Sequence, residues 1–492
     1  MNKIYVYVFL ILSSSFSASC GYAQVEKYIG TWEGIINVGA KIRFVLNISE
    51  DGKKGLKTIA ESPDQTSTKI PCDSTIVDDS GITVNISIAK ASYHGKLIND
   101  TTLEGTFTQA ASLPLVLIKK STSVLKSPVT EAPVIRPQTP KPPFPYESYD
   151  VEYDNAGKTV HLAGTLTVPK TQGSISDIKI TGYPAVVIIS GSGPQDRDGT
   201  LFGHTIYWVL ADHLSRNGIA VLRVDDRGVG KSTAKNIQNS TSADFADDVA
   251  ASVEFLKTRK EINKNKIGLI GHSEGGIIAP MLAAKRKDIA FIVLWGAPVS
   301  GGKITNTEQN EMQLKKSGID SISIRAFRSL HLNALQLFET AKDSADLATR
   351  LQPVWEQWKT SQPKDVLQAL AVNDNSIVGQ NIYASYNSLY EVPWFRFFLT
   401  YDPAIDLAKV RVPILAINGS KDTQVDAQSN LKLISDILKK NKNKNFEVHN
   451  LPSLNHLLQT AKTGGLEEYG TISETIAPPA LELITDWIKK KV

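Results

Sequence analysis

Lys266-Ile-Gly-Leu-Ile-Gly-His-Ser-Glu-Gly-Gly-Ile-Ile-Ala-Pro280 runs from an apolar segment through a glycine-flanked serine into a second apolar segment. Ile267 to Ile270 is an unbroken apolar run of strand length, and Ile277 to Ala284 continues as a helix-like stretch. Between them lies Gly271-His272-Ser273-Glu274-Gly275, a G-x-S-x-G pentapeptide in a strand-turn-helix setting. A serine raised on so tight a turn needs a strained backbone, and side chains two positions to either side would strike neighbouring elements. Glycine at 271, 275 and 276 removes those side chains. The turn predicts a Ser273 hydroxyl lifted clear of a sheet edge, with a helix N-terminus and the Glu274 N–H pointing at charge that develops beside it. Ser273 is therefore a candidate nucleophile.

Around this stretch the pattern is one of short apolar runs separated by helical segments. Pro184 to Ser190, Ile219 to Val224, Lys266 to Ile270, Ile289 to Trp295, Pro413 to Asn418 and Phe446 to Leu451 are the strand candidates. Their hydrophobicity is continuous rather than alternating, which means both faces are covered, as in a parallel sheet. Ser242 to Lys257 carries Phe245, Val249, Val253 and Leu256 on one face and predicts an amphipathic helix. Ahead of these runs, Ser148 to Asn155 and His161 to Pro169 alternate around Asn155-Ala-Gly157, a hairpin signal. Antiparallel hairpin, parallel sheet and serine turn come in the order of an α/β-hydrolase, which residues 148–492 resemble, and more narrowly the exported bacterial branch related to serine aminopeptidases, lysophospholipases and acyl esterases. Asp225-Asp-Arg-Gly-Val-Gly-Lys-Ser232 resembles the D-x-R-G-x-G-x-S run of these hydrolases, where it is structural; it lacks the leading glycine of a phosphate loop.

The resemblance implies partners for the serine in the chain order nucleophile, acid, histidine. Of eight histidines, His331, His449 and His456 follow Ser273. His331 falls in a helical insertion and His449 within the last strand, where burial in the sheet is expected. His456, in Leu451-Pro-Ser-Leu-Asn-His456, sits in the loop after that strand and is the expected general base. Asp422, in Gly419-Ser-Lys-Asp422-Thr-Gln-Val425, resembles the family's acid motif, with Asp426 the close alternative and helix capping the structural role open to either. Oxyanion donors are expected from the Glu274 amide and from the Gly191-Ser192-Gly193-Pro194 loop, with Ser192 first and Gly193 next. That loop departs from the His-Gly-Gly-Gly run of the hormone-sensitive-lipase branch. No metal or organic cofactor is required by this chemistry. The implied reaction is hydrolysis of carboxylic esters, with trimming of short peptides as the alternative; the latter would want cap carboxylates such as Glu311, Glu339, Glu356 or Glu391 to hold an amine.

Residues 301–395 break the strand-helix alternation and carry helical spacing, for example Phe327, Leu330, Ala334 and Phe338, so a helical cap over the site is expected. Trp355, Trp358 and Trp394 lie in or beside it and fit its core better than a pocket. From 24 to 120 the period is two: Ile42, Phe44, Leu46 and Ile48 alternate with polar residues, as do Ile82, Val84, Ile86 and Ile88. This portion predicts a small antiparallel barrel, with Gly30–Gly34 and Leu103–Phe107 as the strands that meet to close it. It resembles the lipocalin-like β-domains that precede catalytic domains in some exported bacterial hydrolases. A linker over 121–147 follows, with Pro128, Pro133, Pro137, Pro140, Pro142, Pro143 and Pro145.

Composition fits a globular protein able to bury large cores, at 41% hydrophobic and 21% charged residues. A net charge of +4 over 492 residues gives no case for a nucleic-acid partner. Residues 1–23, with Lys3, the apolar Ile4 to Leu12 and then small residues, read as a signal peptide ending at Gly21-Tyr22-Ala23. The implied address is periplasmic or secreted. Ser17-Ala-Ser-Cys20 resembles a lipoprotein box with serine in place of the usual leucine, so membrane attachment is expected only through a lipid on Cys20. Cys72 then has no internal disulfide partner.

Overall fold

A computed structural model describes residues 25–37, 41–52, 55–65, 69–86, 89, 91–109, 112–120, 136–170, 182–370, 372, 386–387 and 389–492. The leader with Cys20, the linker prolines Pro128 and Pro133, and cap residues 373–385 lie outside the described residues.

The first domain is an antiparallel sheet of β1 (Gly30–Asn37), β2 (Lys41–Glu50), β3 (Leu56–Glu61), β4 (Lys69–Pro71), β5 (Ser74–Asp78), β6 (Gly81–Ile86), β7 (Ala91–Asn99), β8 (Thr102–Thr108) and β9 (Ser112–Lys119). Alternation decides its inside: Ile42, Phe44, Leu46 and Ile48 of β2 are buried while Lys41, Arg43 and Ser49 face out. Trp32 is fully buried at the centre, its indole N–H donated to the Tyr28 carbonyl at 2.7 Å. The strand order β4-β3-β2-β1-β9-β8-β7-β6-β5 brings β3 and β5 together, and the Thr58 and Thr75 hydroxyls meet there at 2.7 Å. One expectation is corrected: β1 pairs with β9, Trp32 opposite Lys119 and Glu33 opposite Ile118, and β8 lies one strand further on. The reason is that β9 reads Leu113-Pro-Leu-Val-Leu-Ile118, and its outward Val116 and Ile118 are apolar and exposed, which hides the period of two.

The second domain opens with β10 (Tyr146–Asp154) and β11 (Val160–Pro169), paired antiparallel. There follow β12 (Tyr183–Ile189), the short β13 (Thr200–Leu201) and β14 (His204–Thr205), α1 (Ile206–Arg216), β15 (Ala220–Val224), the two-residue β16 (Thr233–Ala234), α2 (Ser242–Thr258), β17 (Ile262–His272), α3 (Gly275–Ala283) and β18 (Ile292–Trp295). The cap contributes α4 (Gly302–Lys316), α5 (Ser321–Thr340), α6 (Ser344–Ser361), α7 (Lys364–Ala369) and α8 (Pro393–Thr400). The chain ends through α9 (Pro403–Leu407), β19 (Ile414–Gly419), α10 (Ala427–Lys440), β20 (Phe446–Leu451), α11 (Leu466–Tyr469) and α12 (Pro478–Lys491).

The sheet order is β10-β11-β15-β12-β17-β18-β19-β20, parallel from β15 onward. Its central strands are buried on both faces, as their unbroken apolar runs require. Packed against one face are Val249, Val253 and Leu256 of α2, Ile278 and Met281 of α3 and Leu431 and Ile434 of α10; against the other, Tyr207 and Leu210 of α1 and Ile484 and Trp487 of α12. The chain leaves β12 for β15 on one side and returns to β17 on the other. That reversal opens a crevice at the carboxyl ends of β12 and β17, the place where α/β sheets bind ligands.

Candidate active site

Ser273 follows β17 directly and adopts φ 53°, a left-handed backbone that a serine enters only under constraint. Its amide donates to the Trp295 carbonyl at 2.8 Å, and its carbonyl accepts from the Gly276 amide at 2.8 Å, so the turn is locked to β18 and to the first turn of α3. The glycines are steric necessities: a Cβ on Gly271 would strike the Gly275 carbonyl, and one on Gly275 would strike the Ile189 carbonyl of β12.

The loop after β12 comes down beside this turn, with the Cβ position of Gly191 only 3.1 Å from Ser273 Cβ. Tyr207 of α1 holds that loop. Its hydroxyl accepts the Gly191 amide at 3.1 Å, lies 3.0 Å from the Gln195 side-chain oxygen, and lies 3.0 Å from His272 Nδ1. The phenol has one proton to give, so donation to Gln195 requires His272 to carry its hydrogen on Nδ1 and donate it to Tyr207. The Gly191 amide is thus engaged inside the protein. Ser192 and Gly193 are exposed at the tip of the loop, Gly193 at φ 93°.

His456 and Asp422 are together. Nδ1 of His456 lies 2.7 Å from Oδ2 of Asp422, and both side chains are almost fully buried. The other oxygen, Oδ1, accepts the amides of Gln424 at 2.8 Å and Val425 at 2.9 Å, which fixes the carboxylate plane. An ionised carboxylate only accepts, so Nδ1 donates and the imidazole lone pair is left on Nε2. The Trp295 indole N–H donates to the His456 carbonyl at 2.9 Å. Gly296, at φ 58°, passes under the pair; a Cβ there would lie 3.0 Å from the imidazole ring and 3.5 Å from Asp422 Oδ2. The His272 ring lies 4.9 Å from that of His456 and 4.3 Å from that of Trp295. Burial, then the neighbouring His456, holds His272 well below the usual histidine range, so it stays neutral.

The competing candidates fall elsewhere. Asp426 is the N-cap of α10 and accepts the Ser429 amide at 2.7 Å. His331 is buried in the cap between Tyr386 and Asn306, with its imidazole pushed down to about 4 by burial. His449 departs from expectation: β20 is the edge of the sheet, so the side chain is 38% exposed, beside Glu447. Trp355 and Trp358 stack on one another inside the cap. Trp394 also packs against the cap core, stacked on Phe398, and makes a bond beyond it. Its indole N–H reaches from α8 to the Glu274 carboxylate at 2.8 Å, where the Ser242 hydroxyl also donates at 2.6 Å. Of the cap acids, Glu311 pairs with Arg328 at 2.6 Å, Glu339 with Lys303 at 2.8 Å, and Glu356 and Glu391 are exposed.

Beneath the loop after β12 lies a cavity of about 60 Å³, lined by Ser190, Gly191, Asp226, Asp248, Glu274 and Ile278 among others. Asp226 accepts the Ser190 hydroxyl at 2.6 Å and the Gln195 amide at 2.8 Å, bracing the loop from below. Burial pushes its carboxyl up to about 8, helped by the charges of Glu274 and Asp248 and opposed by those hydrogen bonds. Asp225 takes Arg197 in a two-pronged pair, and Asp248 takes Arg227, so the rest of the Asp225–Ser232 run is scaffold, as its family likeness implied. Sequence reasoning missed Tyr207, His272, Asp226 and Gly296. The position of Asp226 within Asp225-Asp-Arg was the available signal; for Tyr207 there was none. Among the described residues no group of three His, Cys, Asp or Glu could hold a metal ion.

Residues 204–362 match the family model described as serine aminopeptidase, S33; the match includes Ser273 and stops short of Asp422 and His456. Esterase EstD of Thermotoga maritima is 30% identical over 136 residues, which are 27% of this chain and 30% of that protein. The chain thus aligns with under a third of that relative's length. Among solved structures, the esterase Pf2001 of Pyrococcus furiosus aligns over 73% of this chain and 97% of its own at 15% identity and TM-score 0.40. The alpha/beta hydrolase GrgF from Penicillium aligns over 70% and 99% at 17% identity and TM-score 0.40. With its antiparallel entry hairpin, parallel strands and serine turn after β17, the chain from Tyr146 onward is an α/β-hydrolase in fold.

Proposed function

We propose that the protein hydrolyses carboxylic esters through an acyl-enzyme on Ser273. The observation that carries this reading is the pair of a strained serine after β17 and a buried His456–Asp422 couple at the same edge of the sheet. His456 Nε2 takes the Ser273 proton as Oγ attacks the ester carbonyl carbon. The oxyanion that forms is stabilised by the Glu274 and Ser192 amides, with Gly193 next in line. The C–O bond to the alcohol then breaks as His456 returns its proton to the leaving oxygen. Water, deprotonated by His456, attacks the acyl carbon, and the bond to Ser273 Oγ breaks as His456 returns that proton to the serine and the acid leaves. Asp422 keeps the imidazole in the Nδ1–H tautomer and balances its charge in both halves.

An ester substrate is favoured over a peptide by two observations. Glu311 and Glu339, two of the four cap acids that could hold an amine, already face Arg328 and Lys303, and the other two, Glu356 and Glu391, are exposed to solvent. The relative of named activity is an esterase. The peptide alternative draws on the description of the family model. A panel of p-nitrophenyl acyl esters and aminoacyl anilides separates the two. Ester turnover should dominate and fall by about six orders of magnitude in Ser273→Ala; preferential anilide cleavage, or ester turnover that survives the substitution, would overturn the proposal.

A further inference from the structure

Several contacts converge on one short segment downstream of His456. Residues 461–469 close on themselves, because the Glu468 carboxylate accepts the amides of Lys462 at 3.0 Å, Thr463 at 2.8 Å and Gly464 at 3.2 Å. This clasp grips the loop that carries Asp422. Lys421 Nζ donates to the Ala461 and Lys462 carbonyls, each at 2.8 Å. The Thr423 hydroxyl donates to the Gly464 carbonyl at 3.0 Å, and the Gln424 side-chain amide to the Tyr469 hydroxyl at 2.9 Å. On its other side Leu466 packs, together with Phe202 of the β13–β14 hairpin, against the core of the N-terminal β-domain. The Phe202 amide donates to the Asp64 carbonyl of that domain. Arg136, within the linker, ties the seam with bonds to the Phe202, Gly470 and Ile472 carbonyls.

We propose that this clasp passes the docking of the β-domain on to Asp422, so that Leu466 and Thr423 are positioning residues for the acid and the β-domain is part of the catalytic unit. The proposal rests on Asp422 being the acid of the proposed mechanism. Its physical basis is that Asp422 Oδ1 is held by the amides of Gln424 and Val425, within the same loop that the clasp holds by the Lys421, Thr423 and Gln424 side chains. Letting that loop drift moves Oδ2 relative to His456, and a misplacement of about 1 Å can cost on the order of a hundredfold in rate. A displaced carboxylate also stabilises the imidazolium less, which lowers the apparent pKa of the base and moves the acid limb of kcat/KM to lower pH.

The experiment uses the full chain with p-nitrophenyl acetate and compares Leu466→Ala and Thr423→Val with Ile86→Val, a truncation in the β-domain core. Leu466→Ala and Thr423→Val should each lower kcat by about 5- to 50-fold with KM within about twofold, and shift the acid limb down. Ile86→Val should lower Tm with kcat unchanged. A Leu466→Ala protein that loses Tm but keeps the wild-type kcat and acid limb overturns the coupling; if that variant does not fold, Leu466→Val takes its place in the comparison. Asp422→Asn is run alongside. Wild-type turnover there removes the acid reading and the coupling with it, whereas an inactive Asp422→Asn beside a normal Leu466→Ala removes the coupling alone.

Discussion

Ser273 and His272 show how much of the site is set by single residues. The serine is held at φ 53° by bonds to β18 and α3, so the strain is carried by the sheet rather than by the loop. His272 puts a second imidazole beside His456, and burial keeps it uncharged. Asp226 is the residue whose charge state reports most directly on the loop after β12. Its folded carboxyl is raised from 3.8 to about 8. Between those values the folded protein holds a proton that the unfolded chain has released. Stability is therefore lost as pH rises through the window, at no more than about 1.4 kcal/mol per pH unit. Asp226→Asn cannot ionise and lacks this slope. Denaturant midpoints measured at about pH 5, 6.5 and 8 should show the variant gaining on wild type as pH rises; parallel profiles would mean Asp226 is ionised in the fold.

At the scale of elements, the two acids after β19 differ by what they serve. Asp422 lies in the turn and faces His456, whereas Asp426 caps α10. Asp422→Asn should cost on the order of 10⁴ in kcat by favouring the wrong imidazole tautomer. Asp426→Ala should leave kcat near wild type and remove about 1 kcal/mol of stability, read as a lowered Tm. A reversed pattern would make Asp426 the acid. The strands of the second domain were legible because burial on both faces writes itself as unbroken apolar runs, and the turn at Ser273 because glycine is forced there by collision. Three features were not. In β9 the exposed Val116 and Ile118 mask alternation. For His449, edge position is a property of sheet order, which no local pattern encodes. Trp394 packs on the cap core as its position implied, but its bond to Glu274 joins residues 120 positions apart.

Across the whole molecule, the Ser273 turn, the loop after β12, the Asp422 loop and the His456 loop share one sheet edge, and the segment after His456 is held from the β-domain side as well. The fold class and the candidate residues could be read from local pattern and family likeness; the seam between domains could not, since Leu466, Phe202 and Asp64 carry no periodic signal. In the proposed reaction one serine, Ser273, carries the covalent chemistry. Intact-mass and peptide mapping of the full chain after treatment with an alkyl fluorophosphonate, which traps activated serines, tests this without any variant. A single adduct is expected, on the peptide containing Ser273, with ester turnover lost in step. An adduct on another residue, or full labelling at Ser273 with turnover undiminished, would contradict it.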